Sequence, residues 1–487
     1  MQPTRGPVGG LLLVRNGVEH DARVLRASRV ARGVLDGEPL VVGVATASAA
    51  PGDAIVDGIG VVRFATRPPV LGRVRRPRVG AGVAPGMRPG AEHRTGSKGG
   101  EPRRQRDVHR TDSDPDDRTT RADVPQGVPR LTPAGRARRI LSGVSFGVQA
   151  LALARRVRPA VVHANDWNTM WCGVAIKLAC GSRLVYDSHE LWADRNGRWE
   201  WRPWLVASEA LFVRVADEVV TSSPGYAEVL ATRYRVPRPE VVRNIPEKGT
   251  SAGIAVQSKR VLAAATPSVL SAALPSPDTH APDTHARVSR EPATATNDPS
   301  SPVRVTYIGG LMPGRGLEQM IDALALLDDV RLWAIGPGAV RYRESLLARA
   351  AAAGVEDRVE LRPPVAPSEV ESVLTGAAAG LCLIQPVCRS YELCLPNKLF
   401  EYAAAGVPIL ASDVPVIAAV VRGEGLGEVV APADPRAIAA GVERLLQPER
   451  WRLAAKRVSG FAAAHDWAGE ACVLTSTYER AVGELAA

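Results

Sequence analysis

Aromatic residues account for only 5% of this 487-residue chain, so aliphatic side chains and alanine must fill its cores. Its basic segments carry no interleaved rings on which bases stack, which argues against nucleic acid as a partner. Cysteine is nearly as sparse. The six present, Cys172, Cys180, Cys382, Cys388, Cys394 and Cys472, form no C-x-x-C pair, and buried reduced thiols are expected. No run reaches the ~20 apolar residues of a membrane span. The short run Leu11 to Val14 is wrongly flanked for a signal peptide, and a cytoplasmic location is expected. A dinucleotide oxidoreductase needs G-x-G-x-x-G after its first strand, and GLLLVRNGVEHDA does not supply it.

One core does not suffice at this length, and at least two domains are expected; a hydrophobic content of 45% supports them. The net charge of +10 points to a polyanion until it is located. Between Arg67 and Arg139 stand 18 Lys plus Arg against 8 Asp plus Glu, an excess equal to that of the whole chain, so the remainder is formally neutral. Affinity for polyanions belongs to that segment alone.

Strand, polar loop and helical spacing follow one another from Leu11 onward, the opening of a parallel doubly wound sheet. Leu40 to Ala45 and Gly60 to Phe64 are further strands. From about 71 to 133, Arg, Gly, Pro, Asp and Ser replace aliphatic periodicity, and a disordered insertion is expected. Asp112, Asp114, Asp116 and Asp117 dilute its charge, so it reads as a solvated spacer; the alternative is a tether to anionic lipid at the inner face of the membrane. A helix from about Ala137 to Arg156 and the strand Ala160 to Ala164 restore order. Two strand-to-helix turns, at NDWNTM and YDSHELW, then place His163, Asp166, Asp187, His189 and Glu190 at strand ends of one sheet. Residues 1–247 form a first domain, and a low-complexity linker covers 248–302. Its repeat PDTHAPDTHA holds His280 and His285 with no cysteine and no fold around them, so no metal site is read there. A second domain, 303–465, opens on the strand Val303 to Ile308, and a last helix spans 466–487.

The most informative stretch runs from Ala377 to Ser412. It reads strand, loop, helix, strand, with Pro396 where a helix start tolerates proline and Gly406 where a left-handed cap is wanted. Lys398 and Glu401, three apart, share a face near the positive end of that helix. A cation, a helix N-terminus and a carboxylate therefore converge at the carboxyl end of a buried strand, where open α/β sheets put ligands. The glycines Gly309, Gly310, Gly314 and Gly316 follow the strand at Val303 to Ile308, and Gly336 ends LWAIGPG; by themselves they are weak evidence for phosphate.

PNKLFEYAAAGVPILASD closely resembles the donor-binding motif of glycosyltransferase family 4, and VVHANDW, LVYDSHE, HDARVLRAS and YIGGL...GRGLEQMIDAL resemble further segments of that family. The resemblance implies the GT-B fold: α/β, two doubly wound Rossmann-like domains facing a cleft, here with two disordered insertions and a last helix crossing back onto the first domain. It implies transfer of a sugar, with retention, from a nucleotide diphosphate sugar to an acceptor hydroxyl, lipid-linked acceptors included, in glycan, glycolipid or cell-envelope polysaccharide synthesis. No cofactor is expected. No D-x-D stands where a divalent cation would bridge phosphates, in line with the metal-independent habit of the fold.

Carried over by position, the resemblance makes Arg315 and Lys398 the cations for the diphosphate, His189 the neighbour of the reacting sugar and Glu401 the ribose ligand. The backbone near Val365 receives the base, with Gly309, Gly310, Gly336, Leu395 and Asn397 completing the donor site. Asn16, His20, Asp21 and Asp166 stand on the acceptor side, unless Asp21 simply caps the next helix. Two positions depart from the pattern: Leu311 stands where many members carry a second arginine, and Leu393 where they carry a first glutamate. Either Glu392 substitutes for the latter, or the amides of Cys394 and Leu395 recognise the sugar alone. The alternatives to a transferase are a sugar-nucleotide 2-epimerase and a non-catalytic nucleotide-binding partner subunit.

Overall fold

The structure, a computed structural model, describes residues 8–19, 21–46, 48–65, 132–247 and 303–483. The insertion expected at about 71–133, apart from its last two residues, lies outside the described residues, as do the linker 248–302 and the three histidines His20, His280 and His285.

The first sheet has eight strands: β1 (Gly10–Leu13), β2 (Leu40–Val44), β3 (Gly52–Val56), β4 (Ile59–Phe64), β5 (Val161–Asn165), β6 (Arg183–Ser188), β7 (Glu218–Thr221) and β8 (Glu240–Val241). Their order is β3-β4-β2-β1-β5-β6-β7-β8, parallel throughout except for β3 against β4. Leu11, Leu12 and Leu13 of β1 are all buried, the mark of a central strand covered on both faces. Helices α1 (Ala22–Val34), α2 (Pro133–Val157), α3 (Trp167–Cys180), α4 (Arg202–Val215) and α5 (Pro224–Tyr234) accompany this sheet. The hairpin partner β3 escapes sequence reading because its burial is low and it carries little apolar alternation.

A second sheet, wholly parallel, runs β11-β10-β9-β12-β13-β14. Its strands are β9 (Val303–Ile308), β10 (Val330–Ile335), β11 (Val359–Arg362), β12 (Ala379–Cys382), β13 (Ile409–Ser412) and β14 (Gly427–Val430). Around it lie α6 (Leu317–Leu324), α7 (Val340–Ala352), α8 (Val370–Leu374), α9 (Arg389–Glu392), α10 (Asn397–Ala404), α11 (Pro415–Glu424), α12 (Pro435–Leu446) and α13 (Pro448–Ala464). In each sheet the winding reverses once, between β1 and β5 and between β9 and β12. Open α/β sheets bind ligands at such switch points.

The last helix, α14 (Trp467–Gly483), returns to the first sheet. It buries Trp467, Leu474 and Tyr478 with Val24, Val161 and Val185, and Glu470 takes Arg243 through two guanidinium bonds of 2.8 and 2.6 Å. Two expectations need correction. The thiols are free as expected, but only Cys172 and Cys382 are buried and Cys472 is exposed. Helix α2 is long and apolar enough, by length and composition, to cross a membrane. Glycine, serine and glutamine interrupt its leucines and valines, so no uninterrupted apolar run betrays it. Its Phe146, Ala150 and Ala154 are buried in the core of the first sheet. Ile140, Val144 and Val148, one turn apart, are 56%, 60% and 64% exposed.

Candidate functional site

Helix α10 begins with Pro396 as its N-cap, in extended conformation, and ends before Gly406 in the left-handed region at φ 69°. Its apolar residues Leu399, Phe400, Tyr402 and Ala403 are buried, which leaves the N-terminal amides and Lys398 facing the turn after β9. The Lys398 ammonium lies 3.3 Å from the Tyr307 hydroxyl and 4.3 Å from that ring's centre. At Gly309, φ 127°, an added Cβ would stand 3.5 Å from Lys398 Nζ. Gly336 packs still closer, since a Cβ there would fall 2.0 Å from the Gly309 carbonyl oxygen. The turn geometry thus requires glycine at both strand ends.

Arg315, on the loop that leads into α6, lies with its guanidinium 4.5 Å from the Tyr391 ring centre and donates to the Met312 sulfur at 3.8 Å. Among the described residues neither Arg315 nor Lys398 forms an ion pair with a carboxylate. Glu401, half-buried, has its carboxyl raised by loss of water, with Lys398 and Arg26 opposing. These groups border one cavity of about 310 Å³, within the ~300–1,000 Å³ range of ligand pockets.

The first sheet supplies the opposite wall. His189 follows β6, and its backbone N–H donates to Asp166 Oδ1 at 3.0 Å. Its ring lies 3.5 Å from Asp166 Oδ2 through Nδ1 and 3.2 Å from Asp187 Oδ2 through Nε2, the latter a charge contact without hydrogen-bond alignment. Burial disfavours the imidazolium, but Asp166 and Asp187 outweigh it and push the pKa up to about 9. Asp187 is itself buried and takes two bonds from Arg23, at 2.8 and 2.7 Å. Burial works against its charge, yet Arg23 and His189 hold it well below the usual carboxylate range. His163, buried beside it, contacts Tyr478 of α14 through Nδ1 at 2.8 Å. The returning helix therefore ends in the charge network behind His189.

Of the residues singled out from sequence, His189, Gly309, Gly310, Arg315, Cys394, Leu395, Pro396, Asn397, Lys398 and Glu401 border the cavity. Gly336 abuts Gly309 from behind. Asp21 caps α1, accepting from Val24 N at 3.1 Å, and Asn16 donates to it at 2.7 Å. Asp166 sits behind His189. Val365 packs against the second core and, like Asn16, Asp21 and Asp166, is not among the cavity's lining residues. Glu392 points away from the cavity, paired with Arg389 at 2.9 Å on the surface. Leu393 is buried in the core of the first sheet, and Leu311 is buried where it bridges to Gly338. Sequence reasoning placed Glu190 and Asp187 at strand ends without a role, and it missed Arg23, Ser222 and Tyr226. Of these, Glu190, Ser222 and Tyr226 border the cavity. For Glu190 the signal was available: it directly follows His189.

Known proteins show the same division. A family model described as Glycosyltransferase Family 4 matches residues 104–245, and one described as Glycosyl transferases group 1 matches 302–448. In three dimensions the chain is similar to a sucrose-phosphate synthase from Thermosynechococcus elongatus, with a TM-score of 0.64 at 14% identity, covering 98% of this chain and 100% of that one. It is also similar to HepE of Anabaena in complex with UDP-glucose (TM-score 0.59, 13% identity, 97% and 99% covered). WaaG, a glycosyltransferase of lipopolysaccharide biosynthesis, follows at 0.53 and 13%, with 96% and 98% covered. No curated protein matches the chain by sequence. Two facing Rossmann-like domains of this kind define the GT-B fold. With a glycosyltransferase model matched in each half, the chain is a GT-B glycosyltransferase.

Proposed function

We propose that this chain transfers a sugar from a nucleotide diphosphate sugar to an acceptor hydroxyl, with retention at the anomeric carbon and without a divalent metal. The observation that carries the reading is the convergence of Arg315, Lys398, the N-terminus of α10 and Glu401 on one cavity. Two cations without carboxylate partners among the described residues, together with a helix N-terminus, form a site for a diphosphate. Glu401, three residues from Lys398 on α10, is then in position for a ribose hydroxyl.

The barrier to such a transfer is the charge that grows on the departing diphosphate, and Arg315 and Lys398 stabilise it in a water-poor site. In the step itself the acceptor oxygen bonds to the anomeric carbon as the bond to the β-phosphate oxygen breaks. The acceptor proton passes to that departing phosphate oxygen, so atoms and charge balance without a protein base. His189, charged at neutral pH, donates to the sugar or to the developing negative charge rather than removing a proton.

The acceptor reaches the cavity from the first sheet, in this reading at the inner face of a membrane. Support comes from α2, whose exposed apolar stripe is flanked by Arg136, Arg138 and Arg139 at one end and Arg155 and Arg156 at the other, with no acidic residue along it. That combination suits a helix lying in an anionic lipid interface. Ser142 of α2 accepts from Arg15 at 3.2 Å, so the stripe adjoins the loop after β1.

Calorimetric titration of UDP, GDP and ADP, without added metal, tests the donor site. One nucleotide should bind at micromolar strength and be lost in a Lys398→Ala, Glu401→Ala variant. A folded protein that binds none of the three overturns the reading. Product analysis by proton NMR then decides retention, and appearance of a free C2-epimerised sugar nucleotide would mark an epimerase instead.

A further inference from the structure

A donor sugar presents hydroxyls that both donate and accept, and a carboxyl group suits them in either state: ionised it offers several lone pairs, protonated it adds one donor. The segment after β12 is where the family resemblance puts that carboxylate, and here it cannot serve. Leu393 is committed to the contact with the first sheet: its carbonyl accepts the Ser223 hydroxyl at 2.5 Å, and its Cβ lies 3.0 Å from where a Cβ on Gly225 of α5 would stand. Glu392 is turned outward to Arg389. Only two of the cavity's lining residues are carboxylates, Glu401 and Glu190.

Glu190 reaches the cavity from the other side of the cleft, next to His189. Its nearest cation, Arg195, stands 3.7 Å away and is engaged by Glu200 at 3.0 and 3.2 Å. Among the described residues no hydrogen bond is made to the Glu190 carboxyl group, although the residue borders the cavity together with Arg315. Burial and the nearby Asp166, opposed by Arg195, His189 and Arg315, push its pKa up to about 7. We infer that Glu190 is the donor-sugar specificity residue of this enzyme, hydrogen-bonding to hydroxyls of the transferred sugar from the first domain in place of the glutamate absent at Leu393. Sugar choice is then set across the cleft, and nucleotide choice stays with the second domain.

This inference rests on the transferase reading, and the test separates the two. The full chain and its Glu190→Gln and Glu190→Ala variants are titrated with UDP, GDP and ADP and with UDP-glucose, GDP-mannose and ADP-glucose. The expected result is a nucleotide Kd within twofold of wild type in both variants. The Kd of the matching sugar nucleotide should weaken tenfold or more, and the preference for that sugar over its C4 epimer should fall at least fivefold. An unchanged sugar-nucleotide Kd, or an equal loss for nucleotide and sugar nucleotide, overturns the role of Glu190 alone. Wild-type protein that binds no nucleotide overturns the transferase reading and this inference with it.

Discussion

The two walls of the cavity handle charge in opposite ways. On the second sheet, Arg315 and Lys398 rest on the rings of Tyr391 and Tyr307 and have no carboxylate partner among the described residues. On the first, Arg23, Asp187, His189 and Asp166 form a connected set of pairs, of which Arg23–Asp187 is buried on both sides. An anion entering the cavity therefore finds its countercharges free on one wall. On the other it meets a histidine whose charge is already set and, beside it, the Glu190 carboxyl group. Cations stacked on tyrosine faces keep their orientation through cation–π contact without being neutralised, which is what a phosphate site needs before its ligand arrives.

Breaking the paired wall should have the largest effect. Asp187→Asn leaves Arg23 buried and unpaired, and urea denaturation should show a loss of about 3–5 kcal/mol. Breaking the open wall should leave stability nearly intact and strike the reaction. Arg315→Ala and Lys398→Ala should each lower kcat by roughly 100- to 1,000-fold, measured in single turnover with saturating donor.

A pH profile sharpens the contrast. The pKa of His189 is raised from 6.5 to about 9, so its charge and the stability it contributes are complete below pH 6.5 and disappear as pH rises through about 9. Activity should fall along an alkaline limb centred there, and His189→Asn should remove the limb; a limb unchanged in that variant would mean another group titrates. Away from both walls, Val144→Asp with Val148→Asp on α2 should reduce sedimentation with phosphatidylglycerol vesicles and leave phosphatidylcholine binding unchanged. Each arginine removed from Arg138 and Arg139 should weaken that binding by about 1 kcal/mol. Smallest of all, Glu392→Gln should change donor KM less than twofold, because its partner is the surface residue Arg389.

Much of the fold was legible because its signals are local. Val303 to Ile308 is the strand with the expected limits, and the other strands read from sequence shift by only a few residues. Buried parallel strands announce themselves as short apolar runs wherever they lie. The glycine that closes α10 reads correctly for the same reason, and Pro396 stands one residue before the expected first turn, as the extended N-cap. The exceptions were elements whose neighbours define them. β3 exists by pairing with β4, and α2 keeps its apolar stripe exposed beside a buried alanine face.

By itself, then, the sequence determined two doubly wound sheets, a cation and a carboxylate on one helix face, and a histidine at a strand end. Only the tertiary structure decided which carboxylates reach the cavity. Glu392, close in sequence to Lys398, pairs with Arg389 outside the cavity's lining, while Glu190, more than two hundred residues away, borders the same cavity as Arg315. Side-chain direction beyond a turn or two depends on how the two sheets meet, and Leu393 is seated against α5. The charge of His189 is likewise a tertiary property. It comes from Asp166 on one strand end and Asp187 on the next, held in place by Arg23 from α1.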